Sequence, residues 1–336
     1  MAASRGERPS AKKNAAPRSV ITPPMNIIVT NRIAVTCLLL SLGLALAGCS
    51  STGATDEHET ASSNAENVAV AQQPLSVVWA DEFDGTCDSG SGGGTDINGL
   101  CKANWYYNSE AHFNNEVQQY DNVNTANTYN TVEVSNGTLK IRAKWIPGIS
   151  QWRSARLITK NKYEFVHGRV AARIRVPTFP NRSGVWPAFW MLGTNINQAP
   201  APGGASWPQS GAEELDIFET SSAWQPKKIT ANIIGADGCG DYGCTRNYWP
   251  AWPSSCASSD PSVWHNYAVQ WDADQLEFFQ DGNSVGSAGL PHAGTGNVFQ
   301  HAMYMLLNVA VGGELGGDPT GMDNQVMEVD WVRHSR

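Results

Sequence analysis

Apolar and polar residues alternate along several short stretches of the chain. In TVEVSNGTLKIRAK (131–144), Val132 and Val134 share one face, Ser-Asn-Gly supplies a turn, and the pattern resumes with Leu139, Ile141 and Ala143. GRVAARIRV (168–176) sets Val170, Ala172, Ile174 and Val176 against Arg169, Ala171, Arg173 and Arg175. LEFFQDGNSVG (276–286) reads as a hairpin centred on Asp281-Gly282, and VMEVDWV (326–332) as a closing strand. A two-residue period marks a strand with one buried face, and turn residues between two such runs mark a hairpin. No segment sustains a 3.6-residue apolar period. From residue 75 to 336 the pattern predicts one all-β domain built of two packed antiparallel sheets.

One stretch breaks the alternation. In ELDIFE (214–219), Glu214 and Asp216 fall on one face and Leu215 and Ile217 on the other, but Glu219, five positions on, has the wrong parity. An extra residue around Phe218, a β-bulge, returns Glu219 to the face of Glu214 and places three carboxyl groups in a row. Glu213 falls on the apolar side or at the strand entrance. Such a row suits glycoside hydrolysis, in which a retaining mechanism needs two carboxyl groups about 5–5.5 Å apart. The middle carboxyl would lie against both and help raise the pKa of one of them. A surface acidic strand or a calcium site uses the same residue types.

Composition narrows the partners. The 336 residues carry a net charge of -8, which argues against nucleic acid. The 13 Trp, 32 Gly and 18 Pro fit many short strands and an aromatic-lined surface for carbohydrate. At the N-terminus, the uncharged run 33–48 is the length of a signal-peptide core, too short for a comfortable membrane span. It ends in Leu46-Ala-Gly-Cys49, which resembles a bacterial lipobox with Cys49 as the acylated residue. Residues 1–49 are therefore expected to be an N-terminal extension and export signal, and 50–74, polar and free of aromatic rings, a disordered tether. Excluding Cys37 and Cys49 leaves five cysteines. Cys87 with Cys101 would close one loop, and two of Cys239, Cys244 and Cys256 could pair, leaving one thiol; a zinc site is the weaker reading.

The order of short motifs resembles glycoside hydrolase family 16, closest to bacterial laminarinases. Its Glu-x-Asp-x-x-Glu signature matches Glu214, Asp216 and Glu219. Further matches run through the domain, among them WADEFDG (79–85), NNEVQQY (114–120), HGRVAARIRVP (167–177), GVWPAFWMLG (184–193) and LLNVAVGG (306–313). The resemblance implies a β-jelly-roll with a concave glycan cleft and retaining endo-hydrolysis of β-1,3-glucan. By position it implies Glu214 as nucleophile, Glu219 as general acid/base and Asp216 as assistant. Trp186, Trp190 and Trp207 match sugar-stacking platforms, whereas Trp271 and Trp331 read as core. Asn115 and Arg156 match hydroxyl-binding positions, and Glu82, Gly137 and Asp330 match a structural calcium site on the convex face.

Two features depart from the family pattern. The strand after the acids, in KKITANIIGADGCGDYGC, has Asn232 and no His, and the insertion that follows carries Trp249 and Trp252. The expected partner is a β-glucan, and the chain is expected to be monomeric, exported and tethered to the membrane only through lipid. Mixed-linkage glucan, a galactan, transglycosylation and glycan binding without cleavage are the alternatives.

Overall fold

A computed structural model describes residues 75–87, 93–109, 114–178, 184–197, 203–221, 229–235, 244–248, 260–290 and 299–336. The signal segment, Cys49, the tether, Cys239, Cys256, Trp249 and Trp252 lie outside them. Among the described residues seventeen strands follow in chain order: β1 Val77–Asp81, β2 Tyr106–Tyr107, β3 Gln119–Tyr120, β4 Val132–Ser135, β5 Thr138–Ile146, β6 Gln151–Ser154, β7 Arg156–Ile158, β8 Gly168–Arg175 and β9 Val185–Gly193. The others are β10 Glu214–Thr220, β11 Ile229–Gly235, β12 Cys244–Tyr248, β13 His265–Trp271, β14 Gln275–Gln280, β15 Asn283–Gly289, β16 Met303–Val311 and β17 Gln325–Ser335.

They form two sheets. One runs β15-β14-β13-β8-β17-β5-β6-β3, with β1 also on β17 and β4 on β5; the other runs β12-β11-β10-β9-β16-β7-β2. Pairing is antiparallel except between β3 and β6. The alternating segments behave as their pattern predicts: Val170, Ala172 and Ile174 of β8 and Leu139 and Ile141 of β5 are fully buried against Phe189, Met191, Leu215 and Leu307 of the second sheet. Burial of such side chains, about 1.5–3 kcal/mol each, is what joins the sheets. The β4–β5 and β14–β15 turns place Asn136-Gly137 and Asp281-Gly282 at positive φ, the I′-type geometry that matches strand twist.

Two short helices were not legible as apolar periods. Helix α1, Val123–Tyr129, buries only Ala126 and is defined by its ends: Asn122 and Thr125 form a capping box, and Asn130 closes it in the left-handed conformation. Helix α2, Gly313–Gly316, is a single turn. The Cys87–Cys101 disulfide is formed, with Cα atoms 5.4 Å apart.

The outer face of the seven-stranded sheet carries the features that make a cleft. Strand β16 is buried at every position. Its Met305, Leu307 and Val309 belong to the main core, while Tyr304 and Leu306 pack with Ile158, Leu192, Ile196 and Ala212 in a second cluster on the other face. The β9–β10 connection therefore lies over one end of the sheet's outer face. Lys160 ties it down by donating to the Ile196 carbonyl at 3.1 Å.

Candidate active-site cleft

The bulge in β10 is where parity demanded it. Against β9, Asp216 pairs with Trp190 and Phe218 with Phe189, so Ile217 has no opposite residue. Against β11, Asp216 pairs with Asn232 and Glu219 with Thr230, so Ile217 and Phe218 face one residue. Both side chains go into the core, 2% and 0% exposed, as two adjacent residues of a bulge can. Glu214, Asp216 and Glu219 consequently line one cleft, with a volume of about 590 Å³. Glu213 points away: its carboxylate is buried and accepts the Gly211 and Phe299 N–H groups at 2.8 and 3.1 Å.

The three carboxyl groups are individually held. Trp207 donates its indole N–H to Glu214 Oε2 at 2.9 Å, and Trp186 donates to Glu219 Oε1 at 2.9 Å. Asn232 Nδ2 donates to Asp216 Oδ2 at 3.1 Å and to Glu219 Oε2 at 2.8 Å. Asp216 hydrogen-bonds both Glu214 and Glu219. Burial, then the charge of Glu219, pushes Glu214 up to about 7. Burial also raises Asp216 and Glu219 well above the usual carboxylate range, reinforced by Glu214 and Asp216 respectively. Glu214 is the least enclosed of the three, since Asp216 and Glu219 are only 3% and 6% exposed.

The other sequence-predicted positions divide. Arg156 lines the cleft, 2% exposed, with its guanidinium 4.6 Å over the Tyr120 ring. Trp207 is 52% exposed at the cleft edge; Trp190 is half-buried, its N–H donated to Asn308 Oδ1 at 2.7 Å. Trp186 is 8% exposed, so it offers Glu219 a hydrogen bond more than it offers a sugar a face. Asn115 is exposed, and its neighbours Asn114 and Glu116 form the cleft wall. Sequence reasoning passed over Asn308, although a single polar residue inside LLNVAVGG was its signal; it also accepts no alternation cue, because both faces of β16 are covered.

One reading needs correction. Trp271 is core, 1% exposed, but Trp331 is not. A register shift between Val329 and Trp331 leaves Asp330 unpaired with β8 and turns Trp331 outward opposite Arg173, where the Arg333 guanidinium lies 4.3 Å over its ring. Two of the residues expected to hold calcium have basic partners on the ten-stranded sheet. Glu82 makes two 2.7 Å hydrogen bonds to Arg333, and Asp330 pairs with Arg173 at 2.7 Å.

Known proteins place this architecture. The chain is 26% identical over 301 residues to glucan endo-1,3-beta-glucosidase A1 of Niallia circulans, covering 77% of this chain but only 37% of that protein. It is 29% identical over 275 residues to a beta-glucanase of Rhodothermus marinus, covering 76% and 84% of the two chains. The LamAcat structure from Zobellia galactanivorans superposes with a TM-score of 0.60 at 29% identity, over 77% of this chain and 97% of that one; a variant of that protein has been seen with laminaritriose and laminaritetraose. Residues 117–333 match the profile of the glycosyl hydrolases family 16, well over half of the chain, and the chain belongs to that family.

Proposed function

We propose that the chain is a retaining endo-glycosidase that hydrolyses laminarin-type β-1,3-glucan by double displacement. The observation that carries this reading is the bulged strand, which lines one cleft with three carboxyl groups and leaves the outer two each bound by a tryptophan N–H. Glu214, the least enclosed, is assigned as nucleophile: its carboxylate attacks the anomeric carbon. Glu219, enclosed and held towards its acid form, protonates the departing glycosidic oxygen. The resulting glycosyl-enzyme is then opened by water as Glu219 takes the water's proton, and two inversions restore the β configuration. Asp216, bonded to both, keeps the protons distributed between them.

Product analysis with NMR assignment of the first-formed anomer tests this, using laminarin, barley mixed-linkage glucan, agarose and carrageenan. Laminarin is expected to give β-configured oligosaccharides, and Glu214→Gln and Glu219→Gln are expected to abolish them. Cleavage of only another polymer would change the substrate and keep the mechanism, products longer than the starting chains would mean transfer to sugar, and α-configured products would sink the mechanism.

We propose in addition that the domain lies outside the cytoplasm, held by a lipid on Cys49 and acting as a monomer. Its support is the lipobox-like Leu46-Ala-Gly-Cys49 and a disulfide between Cys87 and Cys101. Radiolabelled palmitate should label the full chain and not Cys49→Ala; labelling of both would remove Cys49 from the account.

A further inference from the structure

Asn232 stands on β11 directly across from Asp216, the last paired residue before the bulge in β10. It is 8% exposed, and its neighbours Ala231 and Ile233 belong to the core, so its side chain is set on the cleft face of the strand. From there one amide nitrogen serves both sides of the bulge, at 3.1 Å to Asp216 Oδ2 and 2.8 Å to Glu219 Oε2. An amide nitrogen carries two hydrogens, so neither bond is made at the other's expense. Ile217 and Phe218 are committed to the core and cannot fix Glu219 from its own strand. With Trp186 on Oε1, the amide leaves Glu219 no free rotation.

We propose that Asn232 is a positioning residue for hydrolysis: its amide staples Glu219 to Asp216 across the bulge and aims the Glu219 proton at the leaving oxygen, an inference that rests on Glu219 being the acid/base. The groups facing Glu219 are Asp216 and Glu214 on its own strand, Trp186 and Ala188 from β9, and Thr230 and Asn232 from β11; Glu116, Glu314 and Arg156 line the same cleft. Neither β9 nor β11 offers Glu219 a titratable partner among these. Burial and the Asp216 charge favour its acid form, and the donors from Trp186 and Asn232 oppose them. Loss of the Asn232 donor therefore lets Glu219 keep its proton to higher pH while no longer holding it in place.

The test compares Asn232→Ala and the donor-retaining Asn232→His with the parent on laminarin and on 2,4-dinitrophenyl β-laminaribioside, whose leaving group departs without protonation. For Asn232→Ala we expect kcat/KM on laminarin to fall at least about tenfold with its alkaline limb moved to higher pH. On the aryl glycoside kcat/KM should stay within about threefold of the parent. Asn232→His should recover part of the laminarin rate. Equal losses on both substrates, an unmoved alkaline limb, or unchanged laminarin turnover would each overturn the proposal. Glu219→Ala serves as the control for the underlying assignment: with the aryl glycoside and azide it should yield a β-glycosyl azide. If that product fails to form, the acid/base assignment itself fails. If it forms while Asn232→Ala shows none of its expected behaviour, only the role of Asn232 fails.

Discussion

Trp207 gives Glu214 its one indole donor, at 2.9 Å, and a donor to the charged form lowers a carboxyl pKa. Trp207→Phe keeps a ring at the cleft edge and removes that donor, so Glu214 should need a higher pH to ionise. The acid limb of kcat/KM on laminarin is expected to rise by roughly half a pH unit, read from a full pH profile; an unchanged limb would detach Glu214 from that limb. The same carboxyl carries a stability consequence. Its acid form is favoured in the folded chain, where the value is about 7 against an ordinary 4.5, so between those pH values the folded state binds more protons than the unfolded one. Stability from this group is therefore full below about 4.5 and is lost as pH rises through 7. Glu214→Gln cannot titrate, and its Tm should exceed the parent's by a few degrees at pH 8 and match it near pH 4. Residues of this kind were legible in the sequence only through parity: Glu214 and Asp216 share a face by spacing, and Glu219 joins them only if a bulge intervenes. The partners were not legible, because Asn232, Trp186 and Trp207 reach the acids across strand pairings and a loop that no local pattern encodes.

At the scale of elements, alternation was readable where one face of a strand meets water and unreadable where both are covered. Strands β5 and β8 show the first case, with inward Ile141 and Ile174 alternating with outward Arg142 and Arg173. Strand β16 shows the second: its nine buried positions serve the core on one face and the cleft or its overlying loop on the other. Trp331 failed for a related reason, since a bulge reverses parity and β17 has one at Asp330 with no acidic row to betray it. The junction of β8 and β17 makes the tightest approach. Gly168 has φ +118°, and a Cβ there would lie 2.2 Å from His334 Nε2 and 2.7 Å from the Ser335 carbonyl. His334 is buried, stacked on Phe165 with centroids 4.0 Å apart, and bonded at both nitrogens, to Tyr163 Oη at 2.7 Å and the His167 carbonyl at 2.9 Å. Gly168→Ala must break this set and is expected to cost on the order of 2–3 kcal/mol, roughly 5–10 °C in Tm, by calorimetry. Burial also lowers His334 to about 4. The unfolded chain then binds the extra proton first, so stability from this histidine is present above an ordinary 6.5 and is lost as pH falls towards 4. Glu214 works in the opposite direction over the same window, so the His334 contribution is read as a difference: from pH 7 to 4 the urea midpoint of the parent should fall relative to that of His334→Gln, and a constant gap between the two would remove His334 from the account.

For the whole molecule, charge is expected to bear on which glycans the cleft admits. The chain carries a net -8, and acids dominate the cleft: among the described residues Glu116, Glu214, Asp216, Glu219 and Glu314 line it with one guanidinium, Arg156, although burial holds the three central acids towards their neutral forms. Arg156 is itself packed over Tyr120 and 2% exposed, so its charge is set into the wall. A neutral glucan would enter such a cleft at no electrostatic cost, while a sulfated chain would meet repulsion from the ionised acids, more of them as pH rises and Glu214 loses its proton, a field effect that falls with ionic strength. Laminarin and laminarin sulfated to about one group per two sugars separate this from shape, because backbone and linkage are the same. The sulfated polymer should show kcat/KM at least about tenfold lower at 0.05 M salt, and the gap should narrow at 0.5 M, where the screening length falls to roughly 4 Å. Turnover of unmodified laminarin should change little over that range. A gap that salt leaves untouched would assign the exclusion to bulk, and equal cleavage of both polymers would show that the acids lining the cleft do not govern entry.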